Sequence, residues 1–176
     1  ADDNLGHSTR ATDFITPKSR SSTRLRNAVL ELARTEAFAR PLVNSGRLST
    51  PTPYLHSSLN TPDTQTFAGR MRPGTNCADA PITVNGQPGW LLNQLHAGFT
   101  LLSFGPARPV TVGSYTTHVI EVGQDVVDSK GLVQQRYDGQ PGTVYLIRPD
   151  QHVAARWRSF DAAAVEQALR RALKLN

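Results

Sequence analysis

The sequence predicts an α/β fold over residues 71–176, preceded by a mostly helical and extended segment. Three observations support this prediction. The apolar run 98–105 is bounded by glycines, as is typical of a buried strand. The tetrapeptide Pro-Asp-Gln-His at 149–152 separates two further apolar runs and is typical of a hairpin turn. An amphipathic helix follows Asp161 and ends the pattern.

The two parts of the chain differ in composition. The protein has 176 residues, of which 38% are hydrophobic, and a formal net charge of +5. Residues 1–70 are poorer in hydrophobic side chains than residues 71–176, and both tryptophans lie in the second part. Because a small apolar core cannot offset the entropy of the chain, we expect that 1–70 does not fold independently and that 71–176 forms one domain.

Residues 1–70 contain one clear helical pattern. Apolar residues recur at helical spacing from Leu25 to Ala33, and possible capping residues stand before them at 21–23. Proline removes a hydrogen-bond donor and clashes with the preceding turn, so the pattern cannot continue past Pro41. The sequence therefore predicts a helix over 22–38.

The stretch 44–73 is dense in Ser, Thr, Pro and Asn and has no sustained period. A structureless segment of this length is unusual inside a compact domain. We therefore expect either an extended strap that lies on another surface or a linker.

The second part alternates between strand and helix patterns. In chain order it predicts a turn or short helix at 90–92, strands at 98–105 and 118–122, a short helix at 125–135, hairpin strands at 143–148 and 153–157, and a helix capped by Asp161. Two parallel strands joined by a crossover, then a hairpin and a closing helix, make an α/β sandwich of thioredoxin-like plan.

Cysteine usage limits the redox chemistry of such a fold. The single cysteine, Cys77, cannot form an internal disulfide. A thioredoxin-like plan would place its reactive thiol just after the first central strand, but residues 105–110 read Gly-Pro-Ala-Arg-Pro-Val. We therefore interpret the fold as lacking the redox cysteines and Cys77 as an ordinary thiol. A stand-alone thioredoxin-fold binding or thiol-redox protein that uses Cys77 remains the alternative.

No catalytic, cofactor-binding or metal-binding residue is predicted. The five histidines are scattered and match no metal-binding spacing, and no nucleotide-binding or nucleophile-elbow motif occurs. Asp125 and Asp128 could share a helix face, but we interpret them as a solvated pair; His118 and His152 are interpreted as structural or exposed.

The charge and hydropathy of the chain bear on its partners. The arginines of 20–47 are interrupted by Glu31 and Glu36 and have no interleaved aromatic run, so a basic nucleic-acid-binding module is the less favoured hypothesis. No apolar run reaches the length of a membrane span, and the polar start is not that of a signal peptide. We expect a cytoplasmic protein with no nucleic-acid or membrane partner.

Several stretches together resemble one family. These are DFITPKS (13–19), LRNAVLELA (25–33), FARPLVNSGRLS (38–49), DAP (79–81), GFTLLSFG (98–105) and LIRPDQHVAARW (146–157). They resemble the C-terminal region of FAD-dependent aromatic-ring hydroxylases of the 3-(3-hydroxyphenyl)propionate hydroxylase and phenol 2-monooxygenase type. In that family a thioredoxin-like domain without redox cysteines follows the flavin and substrate domains.

The resemblance implies a parent enzyme that uses NAD(P)H to reduce FAD and inserts one oxygen atom into a phenolic ring. The chain itself would bind neither cofactor and would be a structural or interaction module. Residues 1–70 would be the tail of the flavin and substrate domains, which are the expected partners, with a homodimer also possible. Leu25, Val29 and Leu32 are the candidate interface residues, either toward those domains or toward the thioredoxin-like domain beside them.

Overall fold

The computed structural model describes residues 2–43 and 51–175. The chain divides into two compact units, Ala1–Thr52 and Pro53–Asn176. We describe each unit by itself.

The first unit is helical. It contains α1 (Asp2–Ile15), α2 (Arg20–Thr35), a 3₁₀ helix (Ala37–Ala39) and the short α3 (Arg40–Val43). The Ser19 hydroxyl caps α2 by accepting a hydrogen bond from the Ser22 amide at 3.1 Å. The predicted helix at 22–38 is therefore confirmed in its centre, but it ends at Thr35 because Glu36 is extended.

Helix α1 was not predicted from the sequence. Its mean hydropathy is low, and its apolar residues do not form a continuous stripe. The expected strap began at residue 44, and positions 44–50 lie outside the described residues.

The second unit carries eight strands and two helices. In chain order they are β1 (Pro81–Val84), β2 (Gln87–Trp90), β3 (Thr100–Ser103), β4 (Thr111–Val112), β5 (Tyr115–Thr116), β6 (His118–Glu121), α4 (Leu132–Tyr137), β7 (Val144–Ile147), β8 (Val153–Trp157) and α5 (Ala162–Leu173). A 3₁₀ helix at Leu91–Gln94 follows β2, where a turn or short helix was expected. The unit is a mixed α/β structure with open sheets.

The main sheet has the strand order β6-β3-β7-β8. β3 pairs parallel with β6 and antiparallel with β7, and β7 pairs antiparallel with β8. The four predicted strands and the hairpin are therefore confirmed. Two separate antiparallel hairpins, β1-β2 and β4-β5, stand outside this sheet.

The core lies on both faces of the main sheet. Leu101 and Leu102 are neighbours on β3 and fall in different clusters, because successive side chains of a strand point to opposite faces. One cluster includes the predicted stripe of α5, with Val165, Ala168 and Leu169 buried. The other includes α4 residues and the β1 side chain Ile82.

Two predicted helices of this unit have different outcomes. Asp161 caps α5 as expected, since its Oδ1 accepts from the Ala163 amide at 2.9 Å. The helix expected at 125–135 is wrong in its first half, because α4 begins at Leu132, after Gly131 at a φ of 64°. A left-handed residue cannot continue a right-handed helix.

The segment Pro53–Cys77, which we call the strap, forms turns and no helix or regular strand. It runs along the outer edge of β8. The Thr61 amide donates to the Ala154 carbonyl at 2.8 Å, and the Gly74 amide donates to the Val153 carbonyl at 2.7 Å. Residues 53–70 belong to the second compact unit and are hydrogen-bonded to it. The domain boundary expected after Arg70 stays a prediction.

Gly74 occupies a position that only glycine fits. Its φ is 90°, and a Cβ there would collide with the Tyr54 carbonyl and lie 2.6 Å from Asn60 Nδ2. We expect Gly74→Ala to lower the free energy of unfolding by at least about 1 kcal/mol more than Gly113→Ala. Gly113 also has a positive φ, of 58°, but no atom lies near the position of a Cβ. Gly113→Ala is therefore the control that measures the cost of backbone strain alone. Urea titrations of the two variants measure the difference. Equal destabilisation would contradict the collision.

Candidate functional site

The strap is held by two arginines at the end of β8. Arg156 and Arg158 are two positions apart, so both side chains project to the same side. Arg156 binds Asp63 in a bidentate pair, with Nε 3.0 Å from Oδ1 and Nη2 2.6 Å from Oδ2. Its remaining nitrogen, Nη1, donates to the Met71 carbonyl at 2.9 Å. Arg156 therefore binds the strap at two places, the Asp63 side chain and the Met71 carbonyl.

Arg158 makes a second set of contacts with the strap. Its Nη2 donates to the Thr66 carbonyl at 3.0 Å, and its backbone amide donates to Gln65 Oε1 at 2.8 Å. The guanidinium also pairs with the Asp138 carboxylate, which follows α4. Asp138 Oδ2 in turn accepts from the Ala68 amide at 2.7 Å. Asp138 therefore joins the strap to α4 through Arg158.

Phe67 lies against both guanidinium groups. The Arg156 and Arg158 Cζ atoms are 4.3 Å and 3.8 Å from the centre of its ring, within cation–π range. The ring edge also meets Tyr145, with 6.2 Å between ring centres. We call Asp63, Phe67, Asp138, Arg156 and Arg158 the arginine clamp.

The two arginines of the clamp are paired with its two aspartates. The hydrogen bond from the Ala68 amide, followed by the one from Arg158, holds the pKa of Asp138 below its ordinary value. Burial lowers the pKa of Arg156, but hydrogen bonds to Asp63 and Tyr145 outweigh it, and the net pKa is raised. Both arginines are paired with carboxylates, so the charged groups of the clamp bind one another. Its chemistry is suited to holding the strap.

Cys77 lies in the core, with 4% of its surface exposed. Burial raises the pKa of its thiol to about 12, although a hydrogen bond with Tyr137 acts in the opposite direction. The Tyr137 hydroxyl donates to the Ala78 carbonyl at 2.7 Å, and its ring packs edge-on against Tyr145. At neutral pH the sulfur is a buried thiol, whereas the thiolate is the reactive form.

The loop after β3 is where a thioredoxin-like plan would carry its reactive thiol. Residues 105–109 read Gly-Pro-Ala-Arg-Pro. Pro106 and Arg108 line an open pocket of about 520 Å³ together with Phe160. Asp161, also in the lining, is engaged in capping α5. No nucleophile faces this pocket among its lining residues.

The histidines singled out in the sequence pair with aromatic rings. His118 lies 5.2 Å from His96 between ring centres, and His152 lies 5.0 Å from Tyr54. Over residues 2–43 and 51–175, no group of three or more His, Cys, Asp or Glu could hold a metal ion.

Asp125 and Asp128 do not share a helix face. Each caps a separate turn. Asp125 Oδ2 accepts from the Glu121 amide, and Asp128 Oδ2 accepts from the Gln134 amide, both at 2.8 Å. The interpretation of the two as a pair on one helix is wrong, because α4 begins after both of them.

The interface candidates lie on α2. Leu25 is 66% exposed and Leu32 is 40% exposed, and Val29 is half-buried. Their spacing of four and three residues places them on one face of the helix. Ile15 and Phe38 in the same unit are also largely exposed, and the sequence reasoning did not single them out.

The sequence reasoning also missed the arginine clamp. Arg156 and Arg158 are separated by one residue, Trp157, and this spacing predicts that two positive side chains point to the same side of a strand. Their partners in the strap carried no comparable pattern. None of the helices described in the structure is long and apolar enough to cross a membrane.

Comparison with known proteins gives a family match. Residues 70–175 match the family model described as aromatic-ring hydroxylase, C-terminal. No curated protein sequence matches the chain at a significant level.

Several solved structures are similar to the chain. The flavin-dependent monooxygenase PieE in complex with FAD and substrate has a TM-score of 0.63 at 19% identity, over 93% of this chain and 32% of its own. Aklavinone-11 hydroxylase with FAD and aklavinone has a TM-score of 0.58 at 20% identity, over 85% of this chain and 34% of its own. RebC with reduced flavin has a TM-score of 0.56 at 20% identity, over 98% and 34%. The chain spans about one third of the length of these proteins.

We expect Cys77 to resist modification in the native chain. Because the thiol is buried and its pKa is raised to about 12, an aromatic disulfide reagent at mildly alkaline pH should react at least about 100-fold more slowly than in the unfolded chain. A Ser114→Cys variant is the control, since Ser114 is exposed between β4 and β5 and its thiol should react at once. Prompt native reaction of Cys77 would contradict its burial.

The lowered pKa of Asp138 predicts a loss of stability in acid. An unfolded aspartate titrates near pH 3.9, and the folded value is lower, so its contribution is complete above about pH 5 and is lost as the pH falls through the folded pKa. Urea midpoints from pH 7 downward should fall less steeply below about pH 4 for Asp138→Asn than for the parent chain. Glu166→Gln, on the exposed surface of α5, should retain the parent slope. An unchanged slope in Asp138→Asn would refute the linkage.

Proposed function

Because the chain belongs to the aromatic-ring hydroxylase family, whose C-terminal model matches residues 70–175, we propose that it is the C-terminal, non-catalytic module of a flavin-dependent monooxygenase. Its role is structural and interactive. The observation that carries this role is the arginine clamp, in which the charged groups bind one another and the strap. The similarity to PieE, aklavinone-11 hydroxylase and RebC, whose structures contain FAD or reduced flavin, supports the parentage.

We further propose that the second unit is a thioredoxin-like domain without redox function. The order β6-β3-β7-β8, with one parallel pair followed by an antiparallel hairpin, supports this plan. The connection between β3 and β6 carries the β4-β5 hairpin instead of a crossover helix. The absence of a thiol at 105–109 and the raised pKa of Cys77 support a non-redox role.

Among the described residues, the loop after β3 does not have the features of a dinucleotide site for FAD. A dinucleotide fold needs a parallel strand that leads through a glycine-rich loop into a helix. Here β3 leads into Gly-Pro-Ala-Arg-Pro, and the prolines supply no amide hydrogens to a phosphate. FAD and NAD(P)H would therefore be held by the upstream domains of the parent. There, reduced flavin would supply the chemistry that hydroxylates a phenolic ring.

The exposed face of α2 supports a docking role toward those upstream domains. Leu25 and Leu32 expose apolar surface, and burying such side chains stabilises an interface by about 1.5–3 kcal/mol each. The similar proteins are about three times as long as this chain, so a parent has ample polypeptide to cover this face. A homodimer contact through the same face is the second arrangement that the exposure allows.

The docking proposal predicts the effect of a charge on α2. Val29→Asp should weaken the association of the 176-residue chain with the separately expressed upstream domains by about tenfold or more, because it places a carboxylate in an apolar contact. Asn27→Asp adds the same charge on another face and should leave the association in place. Co-purification and titration calorimetry measure the association of each variant with the upstream domains. The visible absorbance of flavin should be found with the upstream domains. Unchanged association of Val29→Asp refutes the docking face.

A further inference from the structure

A second and larger cavity lies between the strap and α5, wholly within the second unit. Its volume is about 780 Å³, in the range of small-molecule sites. Ser58, Thr61 and Gln65 of the strap form one wall, and Arg171 and Lys174 of α5 form the opposite wall. The Lys174 ammonium donates to the Ser58 hydroxyl at 2.6 Å and bridges the two walls at one end.

The charge of this cavity is positive. Among the described residues, Arg171 and Lys174 have no carboxylate partner, whereas Arg170 is paired with Glu166 at 2.9 Å. Asp161 is the acidic residue of the lining, and its carboxylate is occupied by the amides at the start of α5. The cavity therefore carries two cations without a carboxylate partner beside hydroxyl and amide groups, an arrangement that suits a phosphoryl group.

One further observation points to a ligand with a planar ring. Trp157 also lines the cavity and packs against the α5 core cluster, so it offers an aromatic surface for a planar ring.

We propose that this cavity binds a phosphorylated small molecule with a planar ring, of the size of a nucleoside monophosphate. The phosphoryl group lies between Arg171 and Lys174, and the ring lies against Trp157. This proposal is independent of the parent's catalytic activity and concerns the second unit alone.

Trp157 provides a direct probe. In a Trp90→Phe background it is the sole tryptophan, and its emission should change in a saturable way as AMP is added to the 176-residue chain. Adenosine and inorganic phosphate, titrated separately, should each bind at least about tenfold more weakly than AMP, because each lacks one of the two contacts. Equal binding of adenosine and AMP would overturn the phosphoryl assignment. Phosphate acting alone as well as AMP would overturn the ring assignment.

Matched variants assign the binding to this cavity. Arg171→Gln and Lys174→Gln should each weaken AMP binding about tenfold while leaving the thermal midpoint of the chain in place. Arg108→Gln removes the same charge at an exposed position outside the cavity lining and should leave AMP affinity unchanged. An equal loss in Arg108→Gln means nonspecific attraction and overturns the site. Absence of any saturable change also overturns it.

Discussion

The last strand of an open sheet leaves a row of backbone amide and carbonyl groups without partners, and the packing of the strap in the second unit depends on this edge. β8 is such a strand, since β7 covers only one of its sides. The strap supplies the missing partners through Thr61, Gly74 and Thr75. Exposed edges invite pairing with other chains, and a covering segment is one of the ways in which proteins prevent it. The arginine clamp therefore protects the edge as well as fastening the strap.

The same edge engages several charged residues of the second unit. Asp63 and Asp138 are committed to guanidinium groups, and Arg156 uses all three of its nitrogens on the strap. Removing one member of such a partly buried pair leaves the other charge without a partner, which is far more costly than the pair itself is stabilising. Positions of this kind are constrained by folding.

The sequence predicted features that depend on neighbouring residues and missed those that depend on distant ones. The strand within 98–105, the hairpin around 149–152 and the Asp161 cap each have their determinants within a few residues, and all three are present. Asp63 and Arg156 are 93 positions apart, so no local pattern could connect them. The cavity beside α5 was missed for the same reason, because its two walls come from the strap and from the end of the chain. The strands were predictable because the glycines and prolines that bound them act locally.

The distance along the chain between the strap and β8 also sets the order in which the unit can form. Closing a loop of roughly 90 residues costs entropy that only the completed contacts offset, and such long-range pairings slow folding. Asp63 leaves the ribosome 93 residues before Arg156, so the strap has no anchor until β8 has been synthesised. A chain that is interrupted before β8 therefore lacks the two arginines that hold the strap.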